Sequence, residues 1–150
     1  MSGAANGEGR LRRAVTGLLA MALAGTGAEL LLLGHYEDAW QLVPLALIAL
    51  GLLAMGWRAA RPGTASLRAF RAVMVLMVAS GALGLFLHYR GNTEFELERD
   101  PSLAGLALFR EAMTGATPAL APGAMMLFGL LGLVSAIRNA GGTVRPESPA

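Results

Sequence analysis

The chain has 150 residues, of which 55% are hydrophobic and 15% charged, and its mean hydropathy is +0.54. This composition lies outside the usual range of soluble globular domains and predicts a protein that resides in a membrane. The sequence contains no cysteine, which excludes disulfides, thiolate metal ligands, iron–sulfur clusters and cysteine nucleophiles.

The basic residues are all arginines, twelve in number, and the sequence pI is about 9.9. They lie at the ends of apolar segments instead of alternating with aromatic residues on one face. They therefore indicate membrane topology, and we expect no nucleic-acid partner. The exclusive use of arginine, with abundant alanine, glycine and leucine, favours a GC-rich coding sequence and a bacterial source.

The first apolar segment follows a small, polar, glycine-rich stretch, residues 1–10, which predicts a flexible tail. Residues 14–33 form a largely apolar run of 20 residues, long enough to cross a hydrocarbon core of about 30 Å. Small residues up to Ala24 also resemble a signal-peptide cleavage site. Because hydrophobicity continues beyond Ala24 and further apolar segments follow, we interpret the run as a first membrane span.

Three more apolar segments predict further spans, and a polar end predicts a second flexible tail. The spans cover about residues 39–57, 67–88 and 118–137, and the tail covers residues 138–150. Trp40 and Trp57 bracket the second span, as expected for indole rings at the headgroup level. Asp38 and Ser66 are placed to cap the second and third spans. The sequence predicts an all-α integral membrane protein, a bundle of four transmembrane helices.

The distribution of arginines predicts the orientation of this bundle. Nine arginines fall on the side that carries both termini and three on the other side. By the positive-inside rule, both termini are expected in the cytoplasm, for a multi-pass protein of the inner (plasma) membrane. The opposite side carries eight acidic residues, Glu29, Glu37, Asp38, Glu94, Glu96, Glu98, Asp100 and Glu111. We therefore expect an acidic extracytoplasmic face.

The outer loop between the third and fourth predicted spans, residues 89–117, is the only sizeable segment predicted outside the bilayer. Within it, acidic and apolar residues alternate over residues 94–98, a period of two that predicts an extended segment. Asp100 and Pro101 have the pattern of an N-cap followed by the first helical residue, and Gly115 can end the turn. A short amphipathic helix is therefore predicted in this loop.

Glu29 is the most informative single residue for function. It lies inside the apolar boundary of the first predicted span, where an ionised carboxylate is costly and usually faces a partner, a cavity or a pathway. The alternative is that Glu29 reaches interfacial water or pairs with a nearby arginine. The acidic residues expected to form a ligand site or proton relay are Glu29, Glu37, Asp38, Glu94 and Glu96.

The two histidines, His35 and His88, fall at the outer ends of the first and third predicted spans. Together with Glu29 and Glu111 they predict a mixed imidazole and carboxylate site for a divalent metal such as zinc, iron or manganese. No spacing in the sequence matches a known metal-binding motif. The alternative, which we favour, is that the His-Tyr pairs anchor helices at the headgroups.

Four predicted spans, a short chain and Glu29 in the first helix resemble the small multidrug-resistance transporters at the level of fold. Those transporters exchange protons for organic cations through a carboxylate, and the resemblance implies that role for Glu29. The chain departs from them in its longer outer loop, in the absence of their aromatic set around Glu29, and in the outer position of this residue. We assign it to no family on these residues.

Three functions are compatible with the sequence. We favour a non-enzymatic accessory or binding subunit in the lipid bilayer, whose acidic outer face with Glu29, His35 and His88 meets a partner, a lipid headgroup or a cation. The expected partner is a membrane protein or a second copy of the chain. The alternatives are a small proton- or cation-coupled transporter that uses Glu29, and a metal-binding membrane enzyme centred on His35 and His88. No complete catalytic motif occurs, so the enzyme is the least favoured.

Overall fold

The computed structural model describes residues 2–115 and 117–137, with side chains from residue 9 onward, and its regular structure there is entirely helical. The five helices are α1 (Ser2–Leu32), α2 (Ala39–Ala60), α3 (Thr64–Arg99), α4 (Gly105–Met113) and α5 (Gly123–Ser135). Three of them, α1 from Gly9 onward, α2 and α3, are long and apolar enough to cross a membrane. This confirms the expectation of a helical membrane protein. The predicted tail 138–150 lies outside the described residues.

The first two helices follow local signals. α1 begins at Ser2, within the stretch for which the sequence predicts a flexible tail, because each residue added to an existing helix gains a hydrogen bond and propagation costs little. Gly34, at φ +68, turns the chain after α1, a backbone conformation that glycine adopts without steric cost. Asp38 Oδ1 then accepts hydrogen bonds from the N–H groups of Trp40 (2.8 Å) and Gln41 (2.9 Å). The predicted cap of α2 is therefore confirmed.

The start of α3 differs from the expected one. The N-cap is Gly63, and Ser66 is the third helical residue. Ser66 still contributes to this end, since its Oγ accepts a hydrogen bond from the Gly63 N–H (3.2 Å) and donates one to the Arg61 carbonyl (3.0 Å).

The far end of α3 corrects a second expectation, because residues 94–98 are helical and not extended. A helix places Asn92 and Glu96 one turn apart on one face, and both side chains are buried there, whereas Glu94 and Glu98 are exposed. Burial against the following segment therefore outweighs the alternating pattern of the local sequence. With 36 residues, α3 is about 54 Å long at 1.5 Å per residue.

The turn from α3 to α4 corrects a third expectation. Asp100 ends α3 and does not cap α4, because its Oδ1 accepts hydrogen bonds from the Oγ (2.6 Å) and N–H (2.9 Å) of Ser102. These bonds hold the pKa of the Asp100 carboxyl below its ordinary value. α4 starts later, at Gly105, whose φ of +56 reverses the chain.

The helices pack around one apolar core. α1 contacts α2 and α5, α3 contacts α2 and α5, and α4 packs against α3. The central side chains include Leu19, Leu23, Phe70, Met74 and Met77, which are almost completely buried. α5 is apolar but has only 13 residues, about 20 Å of helix. A hydrocarbon core is about 30 Å thick, so the length of α5 does not by itself show a fourth crossing.

The two ends of the core differ in charge. The arginine-rich end contains the start of α1, the end of α2, the start of α3 and the end of α5, where Arg71 Nη2 donates to the Ala136 carbonyl (2.7 Å). Its arginines include Arg12, Arg13, Arg58, Arg61, Arg68 and Arg71. The acidic end contains the α1–α2 turn and the α3–α4 extension, which we define as residues 88–115.

Candidate functional site

Asn92 holds the α3–α4 extension together. Its side chain is buried (3% exposed), and its Nδ2 donates hydrogen bonds to the carbonyls of Ala112 (2.8 Å) and Thr117 (2.6 Å). Its Oδ1 accepts a hydrogen bond from the Thr117 N–H (3.1 Å). Gly115 passes so close that an added Cβ would lie 2.9 Å from Asn92 Cγ. One amide therefore fixes the end of α4 and the following linker against α3.

A buried carboxylate lies one turn further along the same face. Glu96 is 4% exposed, and its Oε2 lies 2.6 Å from Nη2 of Arg99, although the groups are not aligned as a hydrogen bond. Arg99 also lies 3.7 Å from Glu111 Oε2. Since the Arg99 side chain is 60% exposed, water screens this pair and the guanidinium only partly compensates the buried charge.

The membrane-proximal part of the extension is apolar. His88 Nδ1 donates a hydrogen bond to the Pro118 carbonyl (3.1 Å), which brings the linker before α5 onto α3. The rings of Tyr89 and Phe109 lie 6.0 Å apart between centroids, within the range of favourable aromatic pairs. A cavity of about 300 Å³ opens beside them, lined by Leu85, Phe86, Tyr89, Phe109, Met113, Ala119 and Leu120.

The other predicted acidic residues are exposed and spread out. Glu94 pairs with Arg90 at 2.8 Å, with both side chains more than half exposed. Glu37 is exposed in the α1–α2 turn, and Asp38 caps α2. Of the expected relay residues, only Glu96 is buried.

Glu29, His35, His88 and Glu111, the predicted metal ligands, are not gathered into one site. Glu29 is exposed on the last turn of α1 and His35 is half-buried in the following turn. Among the described side chains, those of residues 9–115 and 117–137, no group of three or more His, Asp or Glu is arranged to hold a metal ion. His88 is instead engaged with the Pro118 carbonyl.

Asn92 is a residue that the sequence reasoning missed. The signal lies in the spacing of Asn92 and Glu96, which share a helix face only if α3 continues through the acidic segment.

The chain matches no family model, and comparisons with curated proteins and with solved structures find no match either.

Proposed function

We propose that the protein crosses the membrane four times and acts as a non-enzymatic accessory or binding subunit. Its α3–α4 extension binds a membrane-protein partner at the acidic end. The observation that carries this proposal is the extension itself, a helix pair that continues past the apolar span and is fixed by buried polar contacts.

The fourth crossing is supported by the contacts of α5 along α3. An added Cβ at Gly84 would lie 2.7 Å from Pro122 Cβ, and the other end of α5 is held by Arg71. α5 thus accompanies α3 between residues 71 and 84, within the predicted third span, residues 67–88. The turns before Gly123, which begin at Pro118, extend this path towards the acidic end.

The orientation follows from charge. The arginine-rich end faces the cytoplasm under the positive-inside rule, so the α3–α4 extension faces the opposite side. We further propose that this membrane is a bacterial inner membrane, with both termini in the cytoplasm.

The surface of the extension suits a protein partner. Helix α3 is about 54 Å long, and the hydrocarbon core of a membrane is about 30 Å thick. Roughly 20 Å of α3 therefore projects beyond that core. Phe95 (51% exposed), Leu106 (74%) and Phe109 (48%) present apolar surface, and Glu94 and Glu98 add negative charge beside it. Exposed aromatic residues with a charged surround are typical of interaction surfaces, and the charge favours a basic partner segment.

Site-specific photocrosslinking in intact cells tests this proposal. A photoreactive side chain at Leu106 should give one discrete protein adduct, whereas the same group at Leu53, exposed on the apolar face of α2, should give none. Glu98→Arg should abolish the adduct through charge repulsion, and Glu37→Arg, an equal charge change outside the extension, should leave it intact. The same adduct pattern from both positions, or no effect of Glu98→Arg, would contradict the proposal.

The transporter alternative has a direct test as well. Glu29 faces away from the packed core, whereas a carrier carboxylate is expected to face a cavity or pathway. Proton or cation flux into liposomes by the purified protein, lost in Glu29→Gln, would overturn the binding-subunit proposal.

A further inference from the structure

Three arginines converge on a cavity at the arginine-rich end. The cavity has a volume of about 260 Å³ and lies between α1, α2 and α3. Arg12 and Arg13 reach it from α1, and Arg58 reaches it from the last turn of α2. We call these three residues with Phe70 the arginine pocket.

The floor of the arginine pocket is apolar. Phe70 is 1% exposed, and the guanidinium carbon of Arg58 lies 5.2 Å from the centre of its ring, within the range of a cation–π contact. Met55 completes the apolar lining. A guanidinium stacked on a ring is oriented in advance, which lowers the entropy that a ligand must overcome.

The positive charge of the pocket has no described counterion. Arg12, Arg13 and Arg58 line the same cavity, so their positive charges repel one another. Every ion pair among the described side chains lies in the α3–α4 extension, at the opposite end. In the sequence, Glu8 precedes Arg12 by one helical turn, and its side chain is outside the described set. Bringing like charges together costs free energy that a bound anion reverses.

The position of the pocket along the helices indicates which anion could bind there. Arg12 and Arg13 lie in the first turns of the span-capable part of α1, and Arg58 is two residues before the end of α2. All three therefore lie where apolar helix meets water, the depth of phospholipid phosphates, and basic pockets between helices at this depth suit lipid headgroups. Guanidinium groups match phosphate oxygens with two parallel hydrogen bonds.

We propose that the arginine pocket binds a phosphate group, supplied by the headgroup of an anionic phospholipid. Arg12 and Arg58 bind the phosphate oxygens, Arg13 adds charge at the rim, and the apolar floor contacts the first carbons of the lipid. This site goes beyond the proposed function, since it lies at the end of the molecule away from the α3–α4 extension and does not depend on a partner.

Native mass spectrometry of the full chain in neutral detergent tests the site by titration with phosphatidylglycerol and with phosphatidylcholine of the same acyl chains. The wild type should bind phosphatidylglycerol more tightly than phosphatidylcholine. The double variant Arg12→Gln, Arg58→Gln should lose about tenfold or more in that affinity. The control, Arg61→Gln with Arg68→Gln, removes the same charge from exposed arginines at the same end, and should change affinity by less than about twofold.

The outcomes separate the lipid from a soluble source of phosphate. Loss confined to the pocket variant supports the headgroup. Binding of inorganic phosphate that the pocket variant loses, without any preference for phosphatidylglycerol, assigns the site to a soluble phosphate and overturns the lipid. Equal loss in both double variants overturns the site itself, as does a wild type that shows neither a preference for phosphatidylglycerol nor binding of inorganic phosphate.

A second variant applies if the double substitution does not fold. Arg58→Lys keeps the charge but loses the planar fork and its stacking on Phe70. It should weaken phosphatidylglycerol binding severalfold, and an unchanged affinity would contradict the proposed role of Arg58.

Discussion

In the apolar core, helices α3 and α5 approach through glycines, whereas in the α3–α4 extension the chain is held by polar side chains. An added Cβ at Gly129 would lie 2.5 Å from the Met74 carbonyl oxygen, so these helices pack at backbone distance. In the extension, Asn92 makes three hydrogen bonds to the backbone around α4. Lipid offers little hydrophobic drive for helix association, so the core depends on close contact. The extension depends on satisfying buried polar groups.

The largest expected effect comes from filling the contact of α5 with α3. Gly129→Ala places a methyl group against the backbone of Met74 and Val78, which cannot move as a flexible side chain can. We expect a loss of about 2–3 kcal/mol in the free energy of unfolding, measured by denaturant titration in detergent.

Gly25→Ala is the matched control for this substitution. Gly25 is exposed on α1 and an added Cβ meets nothing within 4 Å. The variant should be neutral or gain up to about 1 kcal/mol from helix propensity. Equal stability of the two variants would show that close approach of α3 and α5 does not determine the stability of the core.

The second prediction concerns a substitution that destabilises the α3–α4 extension and leaves the core folded. Asn92→Leu leaves the Thr117 N–H and two carbonyls without their partner, which costs about 1–3 kcal/mol. Hydrogen exchange should accelerate across residues 105–115, while the core segments of α1 and α2 keep their protection. Gly91→Ala, at an exposed position with open space for the Cβ, should leave exchange unchanged. Uniform acceleration over the whole chain would mean that core and extension are one cooperative unit.

The same division explains what could be predicted from the sequence. The helical membrane class and the Asp38 cap follow from apolar runs and from neighbours within three residues, and both are confirmed. The continuation of α3 could not be predicted in this way, because the partners of Asn92 lie 20 and 25 residues later. Likewise, the sequence predicts topology from the arginines but not a shared pocket, because their convergence depends on how three helices pack.

A smaller effect concerns the strength of two ion pairs in the extension, one with a buried carboxylate and one between two exposed side chains. A double-mutant cycle on Glu96→Gln and Arg99→Ala should give a coupling free energy of about 1 kcal/mol, lowered by the exposure of Arg99. The same cycle on Arg90→Ala and Glu94→Gln, where both side chains are exposed, should give less than about 0.5 kcal/mol. Equal couplings would indicate that the burial of Glu96 does not strengthen its interaction with Arg99.

The smallest effect concerns Asp100, where α3 ends. The Ser102 hydroxyl and N–H bond its ionised carboxylate and lower its pKa, so these bonds favour the folded state when the carboxyl is ionised. That contribution is fully present above the unfolded pKa of about 3.9, and it is lost as the pH falls through the lower folded pKa. A nuclear magnetic resonance titration of the Asp100 carboxyl carbon should therefore show a midpoint below about 3.9. Ser102→Ala should raise that midpoint, because it removes the hydroxyl donor and keeps the N–H, and an unchanged midpoint would show that the hydroxyl does not set this pKa.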